Sequence, residues 1–235
     1  MALSPPDIAS SKKDLAISSS RISAVAHTVF LALKSDIVFG RLHPRERLVE
    51  TDLTERFKCN RANIREALNE LSKLGLVEYV VNKGVSVVHL NIDDIRAIYK
   101  VRIELESLAA AWIPLPASKS DIELLTSIQN KHTAAVKSKD FTAIFEHNGS
   151  FHEAFNDMCG NKYLTRLIRE MAFRALPIRY SAYMSQEYLD DVRDDHLNII
   201  EALATSDRDT LVSVTRLHNQ RGLDWYQAQM EFDRS

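Results

Sequence analysis

The sequence predicts a mainly α-helical chain: a small N-terminal unit of three helices and a two-stranded hairpin, then an all-α helical bundle. Three observations carry that expectation. The 235 residues include only six glycines and six prolines, few for the many turns of a β-rich fold. Apolar residues recur at helical spacing through most of the chain. The one interruption is a pair of β-branched runs, "LVEYVV" and "VSVVHL", separated by Asn82, Lys83 and Gly84, which is a hairpin signal.

The elements follow in order. Residues 1–19 carry acidic groups and no apolar segment, so they read as a disordered tail and not as a signal peptide. Ser20 caps a helix from Arg21 to Phe39 with Val25, Val29, Ala32 and Leu33 on one face and Gly40 as its stop. Pro44 marks a turn, and a short helix from Thr51 to Phe57 turns Leu53 and Phe57 inward. After Lys58 and Cys59, Asn60 offers its side chain to the first amides of the next helix. That helix aligns Ile64, Ala67, Leu68, Leu71 and Leu74 on one stripe and ends at Gly75.

Beyond the hairpin every segment reads as helix, so the expected division is 20–90 and 91–235. Asn91 caps a helix carrying Ile95, Ile98, Val101, Leu105 and Leu108 inward, ending before Pro114 and Pro116. Ser120 starts another through Lys137. Further helices are expected over 141–159, 162–175, from Pro177 through the tyrosines, over 188–204 and over 207–230.

The net charge of −2 divides into +3 for residues 1–90 and −5 for the rest, which points to a polyanionic partner for the first part only. Cys59 and Cys159 lie a hundred residues apart and form no disulfide framework, which fits a reducing, cytoplasmic setting. No apolar run approaches membrane-spanning length.

Helix, short turn, helix is the helix-turn-helix unit, whose second helix enters the major groove of double-stranded DNA. Arg61 and Arg65 stand one turn apart on the face away from Ile64 and Leu68, and Asn69 extends that face. An arginine fork suits a guanine edge or a phosphate. Lys83 and Gly84, at the hairpin tip, form a wing against the backbone or minor groove. Taken alone, two arginines four apart are an ordinary solvated helix face. The ordered set of parts favours DNA, bound by a homodimer on a two-fold operator.

In the second half, Asn148 and His152 project from one helix face, while His196 and His218 fall near the middles of the last two helices. Each histidine has apolar neighbours three or four residues away, so all three point into the bundle. Imidazoles from three helices with one amide oxygen make a divalent-metal site of the Zn, Ni or Mn class with open positions. Taken singly, a histidine on an apolar face is a hydrogen-bonded core residue, and His27, His89, His132 and His147 stay at that reading. Arg102, read from its spacing, can pair with Glu106 along the helix surface. Tyr180, Tyr183 and Tyr188 line either a pocket or a dimer face.

The segment "FGRLHPRERLVETDLTERFKCNRANIREALNELSKLGLVEYVVNKGVSVVHL" resembles the winged helix-turn-helix of the GntR family of bacterial transcription regulators. The shared features are Gly40, Leu42 and Pro44 of the turn, Leu48, Glu50, Leu53, "R-x-x-I-R-E-A-L" from Arg61, "L-x-x-L-G-L-V" from Leu71, and the wing glycine Gly84. The resemblance implies operator contacts for Arg61 and Arg65. Arg45 stands where the family usually has glycine, and Ala62-Asn63 replaces the usual Thr-Pro.

Residues 92–227 are similar to the FCD effector domain of the FadR subfamily, through "V-R-x-x-L-E" from Val101, "N-x-x-F-H" from Asn148, Gly160-Asn161, "H-x-x-I-x-x-A-L" from His196, and His218. The resemblance implies metal ligation by Asn148, His152, His196 and His218, with Arg102 near the ligand, and a repressor that releases DNA on effector binding. Asparagine replaces the commoner aspartate and leaves the metal's double charge uncompensated, so the expected effector is a small carboxylate. The rival expectation is a helical-bundle metalloenzyme using its winged helix for protein contact. That activity needs a general base beside an open metal position, and the sequence has neither H-E-x-x-H nor E-x-x-H. In a third reading the histidines bind the effector without metal.

Overall fold

Ser23 caps the first described helix: its Oγ accepts the Ala26 N–H, and helix α1 runs Ala24–Val38. The computed structural model describes residues 22–176, 178, 183 and 185–232. The expected cap, Ser20, lies outside them. The helix starts later than expected because Ser23 stands directly before the periodic run Ala26, Val29 and Leu33, all buried. At the other end Gly40 is left-handed at φ 68°, which lets the Gly40 and Arg41 amides reach the carbonyls of Ile37 and Asp36.

Helix α2 spans Glu50–Phe57 and α3 spans Arg61–Lys73. The Asn60 side chain accepts the Asn63 N–H, as its position before the periodic run predicts. Ile64, Ala67, Leu68 and Leu71 of α3 are fully buried, so Leu68→Ala would cost about 3 kcal/mol. Gly75, at φ 72°, ends α3 with the same hydrogen-bond pattern as Gly40.

The hairpin consists of β2 (Val77–Val80) and β3 (Gly84–Val87), with Tyr79 opposite Val85. The expected two-stranded wing is in fact a three-stranded antiparallel sheet. A strand β1, Arg47–Leu48, adds to β3 and gives the order β1-β3-β2. Two residues are too few to show strand alternation, so only tertiary pairing reveals β1. Arg45, at φ 67°, occupies a left-handed position that favours glycine.

Six further helices follow among the described residues: α4 (Ile92–Trp112), α5 (Lys119–Ser138), α6 (Phe141–Asp157), α7 (Lys162–Arg174), α8 (Gln186–Thr205) and α9 (Arg208–Phe232). Asn91 and Asp94 form a capping box at the start of α4. The cap of α5 is Ser118, two residues before the expected Ser120, since it is the Ser118 hydroxyl that accepts the Asp121 N–H. The expected inward face of α4 is corrected. Ile95, Tyr99, Arg102, Ile103, Glu106 and Ala110 are buried, whereas Val101 and Leu108 are 45% and 39% exposed. An Arg–Glu pair inside the bundle disguises the true face. Of the helix expected from Pro177 through the tyrosines, residues 177, 179–182 and 184 lie outside the described residues.

The bundle core gathers Ala110, Leu125, Phe151, Phe155, Ile199 and Leu211 from α4, α5, α6, α8 and α9. The N-terminal core, around Leu33, Leu68 and Val85, is closed by Leu176, with Phe145 of α6 and Phe173 of α7 packed against it. The Gly75 turn abuts the Arg174 side chain at the end of α7. The DNA-reader-like unit therefore rests directly on α6 and α7.

Candidate metal centre and nucleic-acid interface

Helices α6, α8 and α9 bring His152, His196 and His218 together, with one ring nitrogen of each within 4.8 Å of the others. Each ring is oriented by a partner on its Nδ1 side. His218 Nδ1 lies 3.3 Å from Asp195 Oδ2, and His196 Nδ1 lies 2.7 Å from Gln129 Oε1. His152 Nδ1 stands 3.6 Å from Glu106 Oε2. The amide oxygen beside His196 and the carboxylate beside His218 are acceptors, so they favour the Nδ1–H form of those two rings, with Nε2 as the lone pair. Histidine backed by carboxylate or carbonyl is the arrangement that holds metal-binding imidazoles in place.

His152 Nε2 and His218 Nε2 are 3.1 Å apart. Two nitrogens bound to one ion at about 2.1 Å are separated by about 3.0–3.4 Å, so the spacing fits a shared cation. Asp195 is itself gripped by Arg221 at 3.1 and 3.3 Å. Burial pushes the Asp195 carboxyl up, but the hydrogen bonds from His218 and Arg221 outweigh it and hold it below the usual carboxylate range. Asn148 is buried one turn before His152, and its Nδ2 donates to the Tyr183 hydroxyl at 3.1 Å. That leaves the amide oxygen for an ion. Neutral imidazoles with one amide oxygen suit a borderline divalent metal.

Arg102 both pairs with Glu106 and faces a cavity. It donates to Glu106 Oε1 at 2.9 and 3.1 Å, and it lines a cavity of about 500 Å³ shared with Glu106 and His152. The opposite wall of that cavity is α1, through Leu31, Lys34, Ser35 and Val38. Tyr183 is buried against Asn148, and Tyr188 packs on Tyr183 and Trp225. His132, left at the core reading by its sequence context, is fully buried with its ring 5.9 Å from that of His196.

On the N-terminal unit, Arg61, Arg65 and Asn69 share the exposed face of α3. Arg65 Nε donates to both carboxylate oxygens of Glu50 on α2, at 2.8 and 3.0 Å, which steers the guanidinium and leaves its outer edge to solvent. The Asn69 side chain accepts from the Tyr79 hydroxyl at 2.6 Å, tying helix to wing. Burial, with the Glu50 carboxylate next, raises the Tyr79 phenol above its ordinary value. Asn63, one of the family departures, accepts from Ser23 Oγ at 2.9 Å and so faces α1. Lys83 and Gly84 stand exposed at the hairpin tip, and Gly84 holds φ 85°.

Sequence reasoning missed Glu50, Tyr79, Gln129 and Asp195. Each matters through the element packed opposite it, and although Glu50 and Tyr79 stand inside quoted stretches, neither was given this role there.

A winged helix-turn-helix joined to a helical domain with a histidine centre defines a class of DNA-binding regulators. The chain belongs to the GntR family of bacterial transcription regulators with an FCD domain. The family described as "Bacterial regulatory proteins, gntR family" matches residues 25–87, and "FCD domain" matches residues 97–221. The Bacillus subtilis (strain 168) protein named "Uncharacterized HTH-type transcriptional regulator YdhC" is 29% identical over 178 residues, 75% of this chain and 80% of that protein. "HTH-type transcriptional repressor GlaR" of Escherichia coli (strain K12) is 26% identical over 196 residues, 79% of this chain and 88% of that protein. The solved structure titled "E. coli McbR/YncC" superposes with a TM-score of 0.76 at 20% identity, covering 89% of this chain and 100% of the other. No helix among the described residues is long and apolar enough to cross a membrane.

Proposed function

We propose that this regulator is a cytoplasmic repressor, not an enzyme. It binds a two-fold DNA operator as a homodimer and releases it when a small carboxylate occupies the cavity beside a divalent metal ion of the Zn, Ni or Mn class. Residues 20–90 act as the DNA-binding unit and residues 91–235 as the sensor, with residues 1–19 a tail. Arg61, Arg65, Asn69, Lys83 and Gly84 contact the operator. Asn148, His152, His196 and His218 hold the metal, and Arg102 meets the effector. When bound, the ion supplies the positive charge that anchors a carboxylate. Three relatives bear the word repressor in their names, which supports the sign of regulation.

The observation that carries the sensor reading is the convergence of three imidazoles, each oriented through Nδ1, at the edge of a cavity whose far wall is α1. Ligand state is then felt directly by the DNA-binding unit. Dimerisation is supported by the apolar row Val101, Leu108 and Trp112 along α4, each exposed by more than a third.

A gel shift on the DNA upstream of the chain's own gene tests the reading. Arg61→Ala and Arg65→Ala should each weaken binding by about 1–3 kcal/mol, and loss of a phosphate contact should lower the salt slope by about one. Undiminished binding by both variants would sink the recognition-helix assignment.

A further inference from the structure

The cavity beside the histidine centre is larger than a carboxylate group needs. At about 500 Å³ it has room for a small organic molecule. Part of its lining is apolar, with Val38 of α1, Phe145 of α6, and Ile168 and Phe173 of α7, and polar and charged side chains line the rest.

Asn156 stands out among the polar lining residues. It follows His152 by one turn of α6, lines the cavity and is only 4% exposed. Its Oδ1 is buried and has no hydrogen-bond partner among the described residues. A buried acceptor left bare is costly, so an orphan in a cavity wall asks for a donor from the cavity side. Donors in the same wall have partners elsewhere. Arg169 Nη2 donates to Glu153 at 2.9 Å and lies 3.6 Å from Asp157, and Thr165 Oγ1 donates to the Lys162 carbonyl at 3.3 Å. Side chains one helical turn apart are rooted about 6 Å from each other, which sets the span between the histidine centre and this acceptor.

We propose that the cavity takes an organic acid bearing a second, hydrogen-bond-donating group on an apolar body, and that Asn156 reads that group. The inference rests on the carboxylate reading above and narrows the ligand class. The carboxylate end sits at the histidine centre beside Arg102. A hydroxyl or N–H one helical turn away donates to Asn156 Oδ1, and the apolar body lies against Phe173 and Val38. An acid of the same shape without the donor leaves Oδ1 desolvated and binds more weakly.

The test is calorimetric titration of the nickel-loaded full chain with 4-hydroxyphenylacetate and with phenylacetate. The two acids differ by one hydroxyl set across the ring from the carboxylate arm. The wild type should prefer the hydroxylated acid by about tenfold or more, the size expected when a buried acceptor loses its donor. In Asn156→Leu the preference should fall below about twofold, with phenylacetate bound at least as well as before, since no acceptor is then stranded. Asn156→Ala serves as a second variant if the leucine disturbs folding. Equal affinities in the wild type, or a preference that survives both substitutions, overturns the role of Asn156 and leaves the carboxylate reading standing. If neither acid binds a chain that has taken up nickel, both fall together.

Discussion

His152 Nε2 and His218 Nε2 face each other at 3.1 Å while acceptors flank both rings on the Nδ1 side, Glu106 for one and Asp195 for the other. Asp195 favours the Nδ1–H form of His218, which turns that ring's Nε2 lone pair towards His152 Nε2 at the spacing two nitrogens keep when they share one cation. The chain should therefore take up one Zn²⁺ or Ni²⁺ in competition with a coloured chelator. His196→Ala should weaken uptake by two orders of magnitude or more. Asp195→Asn, which leaves all three rings in place, should weaken it by about 10–100-fold. Uptake should also fall with decreasing pH, because protonated imidazole cannot bind a metal. Uptake indifferent to both substitutions would rule out the site.

His132 gives a pH dependence whose sign is fixed by burial. Both its ring nitrogens are buried without a hydrogen-bond partner among the described residues, and burial, reinforced by the nearby His147 and His218, lowers its pKa to about 4. The folded value lies below the unfolded one, so the contribution is complete above about pH 6.5 and drains away as pH falls towards 4. In metal-free protein, the wild type should lose about 2 kcal/mol more than His132→Phe between pH 7.5 and 5, measured by urea unfolding. Equal losses would mean that His132 has another partner in solution.

Much of the N-terminal unit is legible in the sequence because its signals are local. Asn60, Gly75 and Gly84 each act on their nearest neighbours, by capping, closing a helix or shaping a tip. The face of α4 is misread because its buried side carries Arg102 and Glu106, while Val101 and Trp112 look outward. Hydropathy alone cannot tell a buried ion pair from a surface one. The three histidines stand out through their residue type and apolar neighbours. Gln129 and Asp195 do not, because their role depends on which helix packs opposite. Asn156 is invisible for the same reason, since nothing in its helix marks it as facing a cavity.

Outward apolar residues on α4 carry a prediction of their own. Val101, Leu108 and Trp112 follow heptad-like spacing and are 45%, 39% and 48% exposed, which is the seam of a helix awaiting a helix. A second copy of the chain is the partner that a two-fold operator calls for. Leu108→Asp should shift sedimentation from dimer to monomer at micromolar concentration and weaken operator binding, while metal uptake stays near wild type. A dimer that survives the charge would move the interface elsewhere.

The cavity between α1 and α7 suggests how occupancy reaches the DNA. Its walls belong to both units, with Val38 on one side and Ala172 and Phe173 on the other, and Lys34 Nζ lies 5.2 Å from the centre of the Phe173 ring. A packed interface of this kind does not deform smoothly, so filling it favours a displaced arrangement of α1. Because α1 is fixed to α3 through Ser23 and Asn63, a displaced α1 carries the recognition helix with it. Ala172→Trp fills the cavity without touching the histidines, and it should imitate the effector. Operator affinity without ligand should fall about 5–150-fold, the range of ordinary allosteric coupling. Metal affinity should stay within about twofold of wild type, since no ligand or orienting partner has changed. A variant that keeps full operator affinity, with its cavity shown to be filled, would mean that the two units communicate by another route.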